Sequence, residues 1–422
     1  MKIVLLVAFL TGIFASCERS ELPQEEDGVI IRESHIWKTH LTQGNYLGSN
    51  IESPVIYKDK LLVPGINNEK NFFYQVDIGS GEILDKMEYF EENSFLIFDV
   101  FQNKNKLVIV DGYDNYCLDL DELDYRWRFD IRELMSYPFS WTSGINDLFF
   151  IFGIPRKMSD TSLPYRCGYI GNVNTGELEL FLVPDLGDLP EPDPNEIPDV
   201  IVGVDWIEPF YADKQLYLLV YYGKQYVSVN GKISQSYMGL YDYAAKQWIY
   251  EKEPLGRVSW VEGKPIIEES RVYHTLYSHV ECRNVFTGDI IWSVTDSISH
   301  NPSGFCMSEN NIIVFEEDFN KKVTAYSKTN GSPQWSTPSH GSISIMNELN
   351  GVVYFTSIGD GRLHAIDANT GEYLWRLIAP DEDKAPGAFF KTMCYAIPGK
   401  KGEKGKIIAA RYLSAICHEA IR

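Results

Sequence analysis

The sequence predicts an all-β protein, namely an eight-bladed β-propeller of four-stranded antiparallel blades, with seven blades as the alternative. Three observations favour this fold. Aromatic residues make up 14% of the 422 residues, and such richness favours strands over helices. A hairpin with a turn glycine followed by tryptophan recurs along the chain. Most copies lie about 40–50 residues apart, which is the length of one propeller blade.

The N-terminus predicts export from the cytoplasm. A predominantly apolar run from Ile3 to Phe14 follows Met1 and Lys2, and it is too short to span a bilayer but typical of a signal peptide. The run ends in Phe14-Ala15-Ser16-Cys17, which resembles the lipobox of bacterial lipoproteins. Residues 1–16 are therefore predicted to be a lipoprotein signal peptide, with Cys17 as the lipidation site. An ordinary secretory signal is the alternative.

Residues 17–33 are predicted to be an acidic flexible tether, and residues 34–422 the propeller domain. Such a segment cannot bury enough apolar surface to fold. Its acidic residues are Glu18, Glu21, Glu25, Glu26 and Asp27. Glu18 is not the Asp that marks inner-membrane retention in many lipoproteins. The expected location is therefore the outer membrane of a Gram-negative bacterium, on its periplasmic or cell-surface side.

The clearest repeat lies between Gly351 and Leu377, where two short strands precede an Asn-Thr-Gly turn. Gly371 can adopt the positive φ that a hairpin turn requires, and Trp375 follows it by four residues. The four-residue spacing from glycine to tryptophan recurs at two further places. Four weaker copies, which lack the glycine or the tryptophan, bring the total to seven hairpin repeats. The further copies are Gly331–Trp335, Gly288–Trp292, Asp242 with Trp248, Asn172–Gly176, Asp119 with Trp127, and Asp77–Gly81.

The two ends of the chain are predicted to form the eighth blade together. Residues 388–420 contain three strand-like runs but no fourth, tryptophan-bearing outer strand. Ser34–Leu41 contains Trp37 and resembles such an outer strand, but it has no hairpin of its own. The three runs are Ala388–Ala396, Lys406–Ala410 and Leu413–His418. Pairing the N-terminal strand with them would cover two sheet edges and close the ring.

The motif Ala365-Ile366-Asp367-x-x-Thr370-Gly371-x-x-x-Trp375 resembles the repeat of the pyrroloquinoline-quinone (PQQ) enzyme-like β-propellers. In plan the chain is similar to the propeller lipoproteins of the outer-membrane β-barrel assembly machinery. The resemblance implies a propeller fold, but this repeat occurs in enzymes and in scaffolds alike.

The sequence lacks the marks of a PQQ enzyme. It has neither the adjacent cysteine pair of the PQQ dehydrogenases nor a Cys-x-x-Cys-His cytochrome signature. Trp292, Trp335 and Trp375 hold equivalent positions in successive repeats, which predicts packing between blades rather than stacking on a cofactor. No cofactor and no catalytic residue are therefore predicted, although a hidden pair of carboxylates with hydrolase activity stays open.

The cysteines and acidic turns are expected to be structural. The six cysteines of the body predict buried free thiols, with a single disulfide as the alternative; they are Cys117, Cys167, Cys282, Cys306, Cys394 and Cys417. The acidic run from Asp119 to Asp124 falls in a hairpin where Asp is a common turn former, so no metal site is predicted there.

Three long insertions predict a recognition rim on one face of blades three and four. They are Ile154–Arg166, Pro184–Asp199 and Gly223–Ser234. Loops longer than about 12 residues are usually functional or disordered. The lysine-rich loop Gly399–Lys406 is expected on the opposite face.

Charge narrows the range of partners. The chain has 38 Lys and Arg against 59 Asp and Glu, a net charge of −21, which argues against nucleic acid or an anionic membrane surface as the main partner. The leading hypothesis is a monomeric, non-catalytic, lipid-anchored scaffold that binds another envelope protein. The alternatives are a surface glycan-binding protein and a PQQ- or metal-dependent oxidoreductase.

Overall fold

The computed structural model shows an eight-bladed β-propeller, as predicted. It describes residues 30–31, 35–41, 55–67, 70–89, 99–111, 114–131, 135–155, 167–182, 199–228, 231–255, 264–276, 279–295, 300–317, 321–378, 394–411 and 414–422. These residues contain 33 strands in eight sheets. Within the same ranges, no helix is long and apolar enough to cross a membrane.

The described chain starts with two strands that join the end of the ring, and blades one to three follow. The two are β1 (Ile30–Ile31) and β2 (His35–His40). Blade one contains β3 (Val55–Tyr57), β4 (Lys60–Asn67), β5 (Lys70–Asp77) and β6 (Ile83–Tyr89). Blade two contains β7 (Asp99–Asn103), β8 (Lys106–Asp111), β9 (Asp114–Asp119) and β10 (Asp124–Asp130). Blade three contains β11 (Met135–Ile145), β12 (Leu148–Pro155), β13 (Cys167–Asn172) and β14 (Leu178–Leu182).

Blades four to six continue the same pattern. Blade four contains β15 (Asp199–Ala212), β16 (Gln215–Ser228), β17 (Gly231–Asp242) and β18 (Gln247–Pro254). Blade five contains β19 (Ile266–Glu268), β20 (Arg271–Leu276), β21 (His279–Asn284) and β22 (Ile290–Thr295). Blade six contains β23 (His300–Met307), β24 (Asn311–Glu316), β25 (Lys322–Ser327) and β26 (Pro333–Pro338).

The last two blades close the ring, and blade eight is the predicted composite. Blade seven contains β27 (Asn347–Leu349), β28 (Val352–Thr356), β29 (Arg362–Asp367) and β30 (Tyr373–Ile378). Blade eight contains β31 (Cys394–Ile397), β32 (Lys406–Arg411) and β33 (Ser414–Glu419), and β2 completes it as the outer strand. β2 pairs antiparallel with β33, so the prediction from Trp37 is confirmed.

β1 adds a fifth strand to blade seven. It pairs parallel with β30, with Ile30 opposite Arg376 and Ile31 opposite Leu377. These two residues belong to the segment that the sequence predicts to be tether. The remainder of that segment, and the predicted signal peptide with Cys17, lie outside the described residues.

Each blade is an antiparallel meander, which gives the ring two faces. One face carries the connections between strands one and two and between strands three and four, and is called the turn face. The other carries the connections between strands two and three and the links from blade to blade, and is called the link face. In blade eight, Gly399–Lys406 connects the first two strands, so this loop lies on the turn face as predicted.

Tryptophans of the outer strands join neighbouring blades. The Trp335 indole donates a hydrogen bond to the Ala368 carbonyl at 3.1 Å, and a Cβ on Gly371 would lie 2.5 Å from its ring. Gly371 has φ +73, so both the turn conformation and the indole require glycine there. The same contact joins Trp292 to the Lys328 carbonyl at 3.1 Å. The predicted packing between blades is thus confirmed.

The described cysteines are buried free thiols, as predicted. They are Cys117, Cys282, Cys306, Cys394 and Cys417. Cys117 and Cys282 pair across the sheet with Trp127 and Trp292, just as Ala365 pairs with Trp375. A small residue therefore fills the position opposite each of these three tryptophans. Burial raises the pKa of the Cys117 and Cys282 thiols to about 11, so they are unreactive at neutral pH.

Candidate functional site

The predicted rim lies at link-face connections, but one of its three insertions is not a loop. Residues 156–166 and 183–198, which form most of Ile154–Arg166 and Pro184–Asp199, lie outside the described residues. They connect β12 to β13 and β14 to β15, which are link-face connections. The prediction of a long loop at Gly223–Ser234 is wrong, because β16 and β17 continue through it to the pair Ser228–Gly231.

The residues themselves explain why this segment forms a hairpin. Only two residues, Val229 and Asn230, separate the last pair of β16 and β17. Asn230 readily adopts the left-handed conformation that a two-residue hairpin turn requires, and the β-formers Val227 and Ile233 flank the turn. The two glycines and several polar residues of the segment predict a loop, whereas the β-formers on both sides of Asn230 favour a hairpin.

Blade four therefore carries an extended sheet on the link face. β15 and β16 have 14 residues each and β17 has 12, whereas β18 ends at its pair with Tyr237. Residues 199–204, 223–228 and 231–236 form this three-stranded extension. At about 3.3 Å per residue its six-residue strands project roughly 20 Å. Among the described strands, none pairs with the outer edge of residues 231–235 or the inner edge of residues 199–204.

A buried polar cluster lies between blades four and five. β20 and β21 pair so that His274 stands opposite Glu281, and the His274 ring also contacts the Tyr221 hydroxyl of blade four at 2.8 Å. Arg283 donates to Glu281 at 2.7 Å. The same guanidinium donates to the carbonyls of Pro254 and Gly288, both at 3.2 Å. The cluster thus ties blade five to the last strand of blade four.

The titration of the cluster fits a structural role. Burial alone would raise the pKa of Glu281, but hydrogen bonds from His274 and His279 and the charge of Arg283 hold it well below its usual range. Burial lowers the pKa of His274 despite the hydrogen bond to Glu281. At neutral pH the glutamate is ionised and His274 is neutral. Glu281 is saturated with donors, so it is not poised to act as a base.

Two more carboxyl groups lie on the innermost strand of blade four. Burial raises the pKa of Asp205 to about 8. Glu208 accepts a hydrogen bond from the Trp206 indole at 3.0 Å and pairs with Lys264 at 3.3 Å. Burial raises the pKa of Glu208, although Lys264 opposes this shift. Neither group was singled out from sequence, since nothing distinguishes them among 59 acidic residues.

Blade seven holds an Asp–His pair at the link face. His364 lies 3.1 Å from Asp360, and its ring stacks on Phe355 with 4.9 Å between centroids. Burial opposes ionisation of Asp360, but the contact with His364 lowers its pKa overall. Cross-strand pairing explains the stack, because Phe355 and His364 are register partners. No described thiol or metal-ligand cluster accompanies the pair in the ranges given above.

The acidic run Asp119–Asp124 forms a hairpin turn, as expected from its sequence. Asp119 accepts a hydrogen bond from the Asp121 backbone N–H at 2.8 Å and pairs with Arg126. Asp121 reaches across to blade one, where it pairs with Lys58 at 2.6 Å. These carboxylates therefore order the turn and join two blades on the turn face.

Comparison with known proteins agrees with the repeat and the fold. The family model described as outer membrane protein assembly factor BamB (PQQ_2) matches residues 278–391, which include the last two strands of blade five and all strands of blades six and seven. A search of the curated proteins finds no match to the sequence.

Solved structures with the same fold cover nearly the whole chain. BamB from Moraxella catarrhalis has a TM-score of 0.56 at 11% identity, over 91% of this chain and 99% of that one. Sqt1 from Saccharomyces cerevisiae has a TM-score of 0.61 at 11% identity, over 91% and 99%. The quinohemoprotein alcohol dehydrogenase ADHIIG from Pseudomonas putida HK5 has a TM-score of 0.60 at 12% identity, over 92% and 76%.

Identities this low show a shared fold and nothing about shared activity. The neighbours include an assembly factor and a dehydrogenase, so the function has to be argued from the residues of this chain. The resemblance seen in the sequence is nonetheless confirmed. The protein is an eight-bladed β-propeller similar to the PQQ-like repeat propellers, and its residues 278–391 match the BamB family model.

Proposed function

We propose that the protein is a non-catalytic, lipid-anchored scaffold that binds another protein of the outer cell envelope through the link face of blades three and four. The observation that carries this proposal is the extended sheet of blade four. No other described strand pairs with the outer edge of residues 231–235 or with the inner edge of residues 199–204, so these edges can offer backbone donors and acceptors to an added strand, a recurring way of recognising a partner.

The segment beside this sheet supports the same proposal. Pro184–Asp199 links blades three and four on the link face and contains no basic residue. Its acidic residues are Asp185, Asp188, Glu191, Asp193, Glu196 and Asp199. A segment of this charge attracts a basic partner and raises its association rate more than its final affinity. Its five prolines limit the entropy that is lost when a partner orders it.

Replacing Pro184–Asp199 with a short Gly/Ser link is expected to leave the fold intact and to weaken capture of the partner. The decrease in captured partner, relative to the unchanged chain, should be greatest at low salt, because charges are least screened there. The measurement is a pull-down from solubilised envelopes at two salt concentrations, with the melting temperature of each variant as the test of folding.

The matched control is Lys400→Ser with Lys401→Ser, which changes charge on the turn face. These two exposed lysines lie in the loop of blade eight, and the control should capture the same proteins as the unchanged chain. An unchanged set of captured proteins after replacement of Pro184–Asp199 would contradict the proposed rim.

The dehydrogenase among the structural neighbours makes an oxidoreductase the second candidate. Two observations argue against an oxidoreductase. The sequence has no adjacent cysteine pair, and the indoles of the repeated tryptophans donate hydrogen bonds to the neighbouring blade. We expect the melting temperature to be unchanged by micromolar PQQ with Ca²⁺, because a ligand that binds only the native state would raise it. A reproducible rise, or quinone absorbance in the purified protein, would support the enzyme.

Anchoring is expected to depend on Cys17. Acylation through a thioether needs a thiol, so Cys17→Ser should give a soluble or unprocessed protein without the lipid. Labelling with radioactive palmitate checks this directly. Label that persists in the serine variant would show that Cys17 is not the acylated residue.

A further inference from the structure

Arg362 begins β29 at the link face, on the side of blade seven that faces blade six. The next residue, Leu363, pairs with Leu377, and both pack towards blade eight. Because side chains alternate along a strand, Arg362 turns the other way. His364 follows on the same side as Arg362 and stands opposite Phe355, which packs among apolar residues of blade six. The guanidinium therefore belongs to the junction of blades six and seven.

The guanidinium of Arg362 is a buried charge without a protein partner. Arg362 is 6% exposed, and within the described part of the chain its side chain forms no hydrogen bond, ion pair or ring contact. Arg283, which is 3% exposed, instead donates to Glu281 and to two carbonyls. Arginine is rarely so buried unless it is paired, because taking an unpaired charge out of water is costly. Arg362 is thus suited to an anion that comes from outside the fold.

The carboxylate closest in sequence does not neutralise this charge. Asp360 Oδ1 accepts a hydrogen bond from the Arg362 backbone N–H and contacts His364 Nε2, both at 3.1 Å. Burial lowers the pKa of the neighbouring His340, and the charges of Arg376 and Arg362 add to that shift. Asp360 is therefore bound to His364, and the guanidinium remains available to another anion.

Three further polar atoms of this junction lack a hydrogen-bond partner among the residues that the structure describes. They are Ser357 Oγ, Asp360 Oδ2 and His364 Nδ1, and all three are buried. Ser357 lies beside Arg362, since its backbone N–H donates to the Arg362 carbonyl at 3.0 Å. Buried polar groups nearly always have a partner, so their concentration here indicates a site for a polar group that the fold does not supply.

Two glycines let the chain close over this junction. Gly341 lies in the link from β26 to β27, and Gly359 lies in the turn between β28 and β29. A Cβ on Gly359 would lie 1.6 Å from the His340 carbonyl oxygen, and a Cβ on Gly341 would lie 3.2 Å from Ser357 Oγ. The link therefore rests on the turn and on Ser357. Only a small group can reach the guanidinium beneath them.

We propose that Arg362 binds a small oxyanion, a carboxylate or a phosphate group, on the link face between blades six and seven. A planar guanidinium gives two parallel hydrogen bonds to such a group, and this geometry selects it over a halide. The site is separate from the rim of blades three and four. It depends neither on the proposed scaffold function nor on the anchor at Cys17.

Calorimetric titration tests the site with two defined probes. Inorganic phosphate or sodium acetate is added to the purified full chain, and sodium chloride keeps the ionic strength constant. We expect saturable binding of one oxyanion per chain at millimolar concentrations. Binding of phosphate alone would assign a phosphate group as the ligand, whereas binding of acetate would assign a carboxylate. Absence of saturable binding for both probes would overturn the proposal.

Arg362→Met removes the guanidinium at nearly constant volume. It should weaken binding at least about tenfold, the usual effect of losing hydrogen bonds to a charged group. Arg271→Met is the matched control, because Arg271 begins β20 on the turn face and already donates to the Lys328 carbonyl at 3.3 Å. The control should bind as the unchanged chain does. Equal affinities for Arg362→Met and the unchanged chain, or equal losses in both variants, would contradict the site.

A crystal structure of the unchanged chain with the bound probe locates the site without any substitution. It decides the matter if the melting temperature shows that Arg362→Met does not fold. We expect the oxyanion within about 3 Å of a guanidinium nitrogen of Arg362. An oxyanion found only at other residues, or a guanidinium paired with a carboxylate of the chain itself, would overturn the proposal.

Discussion

A chain that begins at residue 43 is expected to aggregate or to lose most of its free energy of unfolding. The deletion removes β1 and β2 and so exposes the outer edges of β30 and β33 and leaves blade eight incomplete. It also removes Trp37, which is 6% exposed and donates to the Ile78 carbonyl of blade one at 2.9 Å. Thr39 donates in the same way to the Gly81 carbonyl. Thermal unfolding and size-exclusion chromatography measure the loss.

A point variant makes the same test without removing the strand. Trp37→Ala should lower the free energy of unfolding by about 3–5 kcal/mol, as large-to-small changes in a core do. Ile36→Ala is the matched control, because Ile36 is 46% exposed on the same strand and its loss should cost less than about 0.5 kcal/mol. An unchanged melting temperature for the chain that begins at residue 43 would refute the composite blade.

Arg283→Met is expected to lower the free energy of unfolding by about 3–5 kcal/mol, the usual cost of leaving one partner of a buried ion pair alone. The variant removes the donor to Glu281 and those to the carbonyls of Pro254 and Gly288, while it keeps the side-chain volume. Denaturant unfolding at neutral pH measures the loss. Surface ion pairs such as Lys404–Glu419 contribute far less, so Lys404→Met is the control.

A double variant separates the ion pair from simple packing. Glu281→Leu combined with Arg283→Met should cost less than Arg283→Met alone, because no unpaired charge is left between the blades. Costs that simply add would show that the two side chains act independently.

The pH dependence of stability has a definite sign. The pKa of Glu281 is depressed in the fold, so its contribution is present above the unfolded value of about 4.3 and is lost as the pH falls through the folded value. The pKa of His274 is also lowered, so the unfolded chain gains a proton below about 6.5 that the fold excludes. The fold therefore loses stability below about pH 6.5 through His274, and below about pH 4.3 through Glu281 as well.

The repeat allowed most of the fold to be predicted, because each copy has its own turn signal and tryptophan. The closure followed from Trp37, an outer-strand residue with no hairpin of its own. The link face of blade four was only partly foreseen. Glycines and polar residues in Gly223–Ser234 resemble those of a loop, and the pairing that makes them strands depends on β15, which lies more than ten residues earlier.

The buried cluster of blades four and five could not be assigned from sequence alone. Its members come from different strands, and only the register of β20 and β21 brings His274 opposite Glu281. A weak signal does exist. His274 and Glu281 stand in otherwise buried stretches of strand, where charged residues are rare unless they are paired. These buried charged residues predict a buried ion pair, but the sequence does not predict that Tyr221 of blade four contacts His274.

Site-specific photo-cross-linking tests the central claim most directly. A photoreactive amino acid is placed at position 226 or 233 of the extended sheet, and at Lys104 or Lys214 in turns of the turn face. Illumination of intact cells should yield one recurrent protein adduct from positions 226 and 233 and none from the two turn-face positions. Adducts that form only from Lys104 and Lys214, or none from the extended sheet, would contradict the proposed link-face scaffold.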